Sequence, residues 1–339
     1  MAERRRLPIP FESLGALGGV ARAAMGTAVS AGAGVQRTVD RLVDRRRPHD
    51  LVQGPGGFGV HVLRPLPETV AAGAPPVFAE TGLGGVSADW VPVVAELGDR
   101  AAVWAADRPG LGWSDPRPDG DRGVTGFLER LELVREQAGT EGPAVLAGWS
   151  MGALYVMAAA ALRPDLVSGL VLVDPSHPDE ARRFHDPSLG QAGRVALLTA
   201  ARMSSFGGAA FAGIPGRRYV LRSGSQLGRS LPPDTLTFAS ARAGRAIFEE
   251  LANFSLRCDE FAAVVAEHPL PDVPCVVLTA VERPAAEGPE AWAELHRELV
   301  GWFPQGELRE VTGSTHQMTV DRPDAVAEAV ADVVARAAR

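Results

Sequence analysis

The segment Gly148-Trp149-Ser150-Met151-Gly152 constrains the fold of this chain more than any other. It has the pattern Gly-x-Ser-x-Gly and lies between an apolar run, Pro143-Ala144-Val145-Leu146, and a small-residue stretch, Ala153 to Ala160, that ends near Arg163-Pro164. The run reads as a short buried strand and the stretch as a helix. A serine on so sharp a strand-to-helix turn is forced into strained backbone geometry, and the flanking glycines let neighbouring chain pass close to it. The turn lifts the hydroxyl clear of a sheet and aims a helix N-terminus at whatever the serine attacks. Ser150 is the expected nucleophile.

The rest of the chain reads as the sheet this turn requires. Residues 58–63 alternate like a half-exposed edge strand, while 75–80, 101–107, 170–174, 273–279 and 307–312 are short, apolar and bounded by turns. Helical spacing fills the gaps at 90–97, 126–138, 289–302 and 323–336. Apolar strands separated by helices imply an α/β chain with a mostly parallel, doubly wound sheet covered on both faces. Ligands in such sheets sit at the C-terminal ends of the strands. Between 175 and 269 the alternation stops, and only helix-like runs remain: Gln191 to Met203, Asp234 to Asn253 and Leu256 to His268. The organisation expected is an N-terminal extension over 1–48, a core over 49–174 and 270–339, and a helical cap over 175–269.

Composition removes several function classes. With 339 residues, 46% of them hydrophobic, the chain can bury one large core, and its formal charge of −7 gives no footprint for nucleic acid. All 34 basic side chains are arginine, which excludes Schiff-base enzymes, pyridoxal-phosphate enzymes and the P-loop lysine together. Cys258 and Cys275 make neither a disulfide framework nor a metal cluster, which fits a reducing compartment. No cofactor and no metal are expected. The extension sets two clusters, Arg4 to Arg6 and Arg45 to Arg47, around a Gly-Ala-Val stretch interrupted by Arg22. It reads first as a helical or flexible surface segment able to touch a membrane peripherally. A targeting segment comes second, and the stretch is too weakly apolar to span a bilayer. The expected location is the cytoplasm, with membrane association open and the oligomeric state unassigned.

A serine hydroxyl is a weak nucleophile until a base takes its proton. Of seven histidines, His316 follows the last expected strand in Thr312-Gly313-Ser314-Thr315-His316, at the same sheet edge as Ser150. His49, His61 and His296 offer no convergence, and His177, His185 and His268 lie in or beside the cap. The imidazole in turn needs a carboxylate. Asp174, at an abrupt strand end before Pro175, is the first choice, and Glu282, after the next core strand and beside Arg283, is the alternative. The developing oxyanion needs backbone donors, expected from Met151 N–H, after the nucleophile, and Leu83 N–H, in the turn Thr81-Gly82-Leu83-Gly84-Gly85.

Together with Ser87-Ala88-Asp89-Trp90, Asp107-Arg108-Pro109-Gly110-Leu111-Gly112-Trp113-Ser114 and Leu170 to Pro178, these segments resemble the α/β-hydrolase superfamily, in particular bacterial serine esterases with a helical cap. The resemblance runs from about residue 50 to the end. It implies a serine hydrolase, most readily a carboxylic ester hydrolase with a Ser-His-Asp triad and an acyl-enzyme intermediate. It also supports Asp174, because the acid follows this same strand in relatives with the haloalkane-dehalogenase arrangement. Thr81-Gly82 replaces the usual His-Gly, and Trp149 replaces the more common histidine before the serine, so Gly82 and Trp149 are expected beside the pocket. The apolar residues of the cap suggest a small to medium apolar ester as substrate. Cofactor-free perhydrolases and C–C bond hydrolases share the triad, and a slow-turnover ligand receptor on the same scaffold is the reading from another class.

Overall fold

The computed structural model describes residues 30–339 except 55, 66–69, 72, 118, 121, 185, 186, 210, 211, 214, 216, 218–232 and 283–288. Residues 1–29 of the expected extension, residues 218–232 of the expected cap, and His185 and Arg283 therefore lie outside the described residues.

Strands β4 (Pro76–Glu80), β5 (Ala102–Ala106), β6 (Ala144–Trp149), β7 (Val167–Val173), β8 (Cys275–Ala280) and β9 (Gly306–Val311) form a parallel sheet. With β3 (Val62–Leu63), antiparallel to β5 at one edge, the order is β3-β5-β4-β6-β7-β8-β9. Side chains alternate between two apolar layers, as period-two geometry demands. Leu146, Leu170, Leu172 and Val277 face α3 (Gly123–Ala138) and α4 (Met151–Leu162), while Val145, Val171, Val173 and Val276 face α2 (Val91–Leu97) and the C-terminal helix Pro323–Ala337.

Two local readings differ from the sequence expectation. The edge strand over 58–63 is broken: β2 (Gly59–Val60) pairs with β1 (Val52–Gln53), and only Val62 and Leu63 join the main sheet. The break falls at His61, whose N–H donates to the Ser114 hydroxyl (2.9 Å) instead of a neighbouring strand. In the expected cap, the run over 234–253 opens as a 3-10 segment, Pro233–Ala239, and its remainder joins the run over 256–268 in one continuous helix, Ala241–Glu267. Ser240 starts that helix by accepting the Ala243 N–H (3.3 Å), and nothing at Phe254-Ser255 breaks it because neither residue is Gly or Pro.

We call residues 30–44 α1, Glu180–Phe184 α5, Pro187–Met203 α6 and the long helix Ala241–Glu267 α7. Between β7 and β8 the described residues contain helices and no strand. The part of the extension that is described docks on this region. Asp40 accepts the Ala241 N–H (2.9 Å) at the start of α7, Gln36 donates to the Ala239 carbonyl (2.9 Å), and Asp44 pairs with Arg242 (2.9 Å). Among the described residues no helix is long and apolar enough to cross a membrane.

Candidate active site

Ser150 stands between β6 and α4 with φ 55° and ψ −123°. Its neighbours explain the two glycines. A Cβ on Gly148 would lie 2.7 Å from the Ala153 Cα, and one on Gly152 would lie 2.6 Å from the Glu80 carbonyl oxygen, so neither position accepts a larger residue without moving backbone. The Ser150 N–H donates to the Val173 carbonyl (3.0 Å), which ties the elbow to the end of β7. Helix α4 is buried from Met151 to Ala161, so its N-terminus is fixed beneath the serine.

Asp174 leaves β7 with φ 40°, and among the described residues Ser150 and Asp174 are the two non-glycine residues with positive φ. Such conformations cost roughly 1–3 kcal/mol each and persist only where surrounding structure enforces them. Here the enforcement is visible. The Asp174 N–H donates to Leu278 O (2.8 Å), and its Oδ1 accepts the Ala280 N–H (3.0 Å). One residue on, the Pro175 carbonyl accepts from His296 Nε2 (2.9 Å), while His296 Nδ1 accepts from the Thr279 hydroxyl (2.7 Å).

His316 lies in the loop after β9 and joins the other two. Its Nδ1 is 2.5 Å from Asp174 Oδ2, and its Nε2 is 2.8 Å from Ser150 Oγ. A carboxylate only accepts, so the ring proton sits on Nδ1 and leaves Nε2 to accept from the serine hydroxyl. Asp174 is fully buried while the His316 side chain is 28% exposed, so the relay is anchored at one end and open at the other. Glu282, the alternative acid, holds the loop instead. It is exposed, it accepts the Ser314 N–H (3.2 Å), and hydrogen bonds from Gly313 and Ser314 keep its carboxyl below the usual range.

Trp149 stands beside Gly82, where a Cβ would come within 3.4 Å of its ring. It is buried in the apolar layer that holds Val145 and Val173, and its indole N–H donates to the His316 carbonyl (2.7 Å). Gly82 does approach the nucleophile: a Cβ there would come within 3.0 Å of the Ser150 Cβ. The glycine turn it opens rests on Arg108, a fully buried guanidinium from the loop after β5. Arg108 donates to the carbonyls of Gly82 (2.6 Å) and Thr81 (2.9 Å) and to Glu80 Oε1 (2.5 Å). It also binds Glu250 of α7 through Nε (2.6 Å) and Nη2 (3.1 Å), and Glu250 Oε2 accepts the Gly84 N–H (2.7 Å). Burial alone would lower the Arg108 pKa, but Glu250 and Glu80 drive it well above its ordinary value. Arg108 lies in a motif segment visible in the sequence, whereas Glu250 reaches the turn from 166 residues away with no motif around it.

A cavity of about 640 Å³ lies between core and cap, with Met151 and Tyr155 of α4 in its wall. Its lining carries five arginines, including Arg194 and Arg257, and is more polar than the cap composition suggests. The reason is that several apolar cap side chains, Val195, Met203, Phe206, Leu251 and Leu256, are turned towards solvent.

Known proteins share parts of this architecture. The α/β-hydrolase fold family model matches residues 75–217. Esterase Rv0045c of Mycobacterium tuberculosis is 37% identical over 147 residues, 40% of this chain and 48% of that one. Polyketide synthase ThaQ of Burkholderia thailandensis is 32% identical over 125 residues, 37% of this chain and 6% of that one. The chain thus spans about half the length of the first curated relative and a small part of the second. Among solved structures, a malate-bound thermophilic esterase from Thermogutta terrifontis aligns at 21% identity and TM-score 0.58, over 85% of this chain and 98% of that one. An alpha/beta hydrolase from Sphaerobacter thermophilus aligns at 22% identity and TM-score 0.56, over 84% and 100%. The family match runs through the elbow itself, and the likeness to solved structures shows that the chain has the α/β-hydrolase fold.

Proposed function

We propose that this protein is a serine hydrolase that cleaves carboxylic esters through an acyl-enzyme. The observation that carries the reading is the unbroken relay from Ser150 Oγ to His316 Nε2 and from His316 Nδ1 to Asp174 Oδ2, at 2.8 and 2.5 Å, with both ends of it in strained backbone. Ser150 attacks the ester carbonyl while His316 Nε2 takes the hydroxyl proton, and Asp174 holds the imidazole in the required tautomer and stabilises its charged form. The carbonyl oxygen becomes an oxyanion that accepts from the N–H groups of Met151, at the start of α4, and Leu83. His316 then gives its proton to the leaving alcohol. Water attacks the acyl-enzyme by the same route in reverse order.

Three further observations support this assignment. The N–H groups of Gly84 and Gly85 are spent on Glu250 and on the Gly82 carbonyl, which leaves Leu83 as the natural donor of the turn. Relatives named esterases, one by sequence and one by fold, favour an ester over other acyl compounds. The cavity beside Met151 suits a small to medium substrate.

A p-nitrophenyl ester series, from acetate to octanoate with a hemisuccinate included, tests the proposal against Ser150→Ala. The expected result is turnover on short and medium esters that falls by about 10⁴-fold or more in the variant. Equal rates in both proteins, or tight ester binding with negligible turnover, would contradict it.

A further inference from the structure

Cap and core meet through two buried ion pairs, and both land on the segment that carries the oxyanion turn. In the first, Glu250 of α7 holds Arg108 with two hydrogen bonds and takes the Gly84 N–H. In the second, Arg217 of the cap pairs with Asp89, whose other carboxylate oxygen accepts the Val86 N–H (3.0 Å). All four charged side chains are buried. Arg217 also stacks over the Phe238 ring at 4.8 Å, which ties it further into the cap. The segment from Thr81 to Asp89 is thus gripped near both ends by groups from outside the core.

The first grip acts on one particular peptide plane. The Gly82 carbonyl accepts from Arg108 Nη2 at 2.6 Å and from the Gly85 N–H at 2.9 Å. A trans peptide is planar, so fixing the Gly82 oxygen fixes the direction of the Leu83 N–H, which points the opposite way. Arg108 therefore aims the donor without touching the substrate, and Glu250 aims Arg108. A guanidinium in apolar surroundings keeps its place only while its carboxylates keep theirs, and removal of one partner leaves the other uncompensated.

We propose that Glu250, and more weakly Arg217, are positioning residues through which the docked cap sets the oxyanion turn, so that the hole is complete only with the cap in place. The inference rests on the serine-hydrolase reading above. It goes beyond that reading in making α7 part of the catalytic geometry.

The test compares Glu250→Gln and Arg217→Gln with wild type on p-nitrophenyl butyrate, alongside affinity for an alkyl trifluoromethyl ketone. Ser150 Oγ adds to the carbon of that ketone, His316 takes the hydroxyl proton, and the former carbonyl oxygen becomes an oxyanion in the hole. Losing a whole oxyanion donor costs on the order of 10²–10³ in rate, so misaiming one by E250Q is expected to lower kcat about 10- to 100-fold. KM should stay within about threefold and ketone affinity should fall in parallel, because the interaction is made in the transition state. R217Q is expected to show the same split at about 3- to 10-fold. Arg182→Gln, which breaks an exposed pair with Asp259 of the same helix α7, should leave all three quantities unchanged. The proposal is overturned if either folded variant, judged by circular dichroism and melting, keeps wild-type kcat and ketone affinity, or if the loss lies wholly in KM. Should E250Q fail to fold, R217Q alone decides. Wild-type kcat in these variants while Ser150→Ala is inactive would remove this inference and leave the hydrolase reading standing; turnover that survives Ser150→Ala would remove the reading itself.

Discussion

Ser150 and Asp174 stand at the ends of adjacent strands, held by backbone hydrogen bonds to β7 and β8, whereas the glycine turn facing them is held by charged side chains from β4, the loop after β5 and the cap. The first arrangement is part of the sheet and forms wherever the sheet forms. The second needs groups distant in sequence to meet, and the low dielectric that strengthens their attraction also penalises any member left alone. The two sides of one site therefore depend on different things. In the function proposed above, the relay from Ser150 depends on the core, and the glycine turn depends also on α7.

The contrast breaks most sharply at the relay. Asp174→Asn keeps the size of the acid but can donate to His316 Nδ1 and so favour the wrong tautomer, and kcat should fall about 10³- to 10⁴-fold with little change in fold. Steady-state kinetics with a melting curve check this; a loss under tenfold would show that Asp174 does not orient the imidazole. The Glu250→Gln effect should be smaller, since the turn is misaimed rather than removed. Smaller again is Trp149→Phe, which deletes the indole N–H bound to the His316 carbonyl while keeping an aromatic body in the apolar layer. About 3- to 10-fold in kcat is expected, in line with losing one hydrogen bond worth roughly 1 kcal/mol. An altered acyl-chain preference at unchanged kcat would instead give Trp149 a role in the pocket wall.

A separate effect concerns stability and not rate. His177, beside Asp174 in sequence but buried against Trp302, has its pKa pushed by burial from the ordinary 6.5 down to about 4. The unfolded chain then binds the proton first as pH falls. Stability is intact above about pH 6.5, is lost as pH falls towards 4 and levels off below it. Urea unfolding between pH 7.5 and 4 should therefore slope by about 2–3 kcal/mol more in wild type than in His177→Gln. Identical slopes would count against it.

How legible each part was in the sequence follows the same division. The elbow was readable because its requirements are local: two glycines for close approach, one serine between strand and helix. That His316 and Asp174 meet Ser150 was readable because each follows a strand, and strand ends of a parallel sheet converge on one edge. Glu250 was not readable. Its neighbours in α7 show only helical spacing, and nothing local says which carboxylate on a helix turns inward to meet a guanidinium 142 residues away. The contact of Trp149 with His316 was not readable for a related reason: strand alternation assigns a side chain to a face, and only the packed loop after β9 shows that its indole meets the His316 carbonyl. The edge strand failed at His61 because a side-chain hydroxyl, Ser114, competed for a backbone donor that periodicity assigns to the ladder.

The most direct test of the relay is labelling with a fluorophosphonate, which reacts with a serine only when its hydroxyl is activated. Intact-mass and peptide mass spectrometry should find one adduct on wild-type protein, on the peptide that contains Ser150, and labelling should slow by orders of magnitude in His316→Ala. An adduct elsewhere, or equal labelling rates with and without the imidazole, would contradict the account.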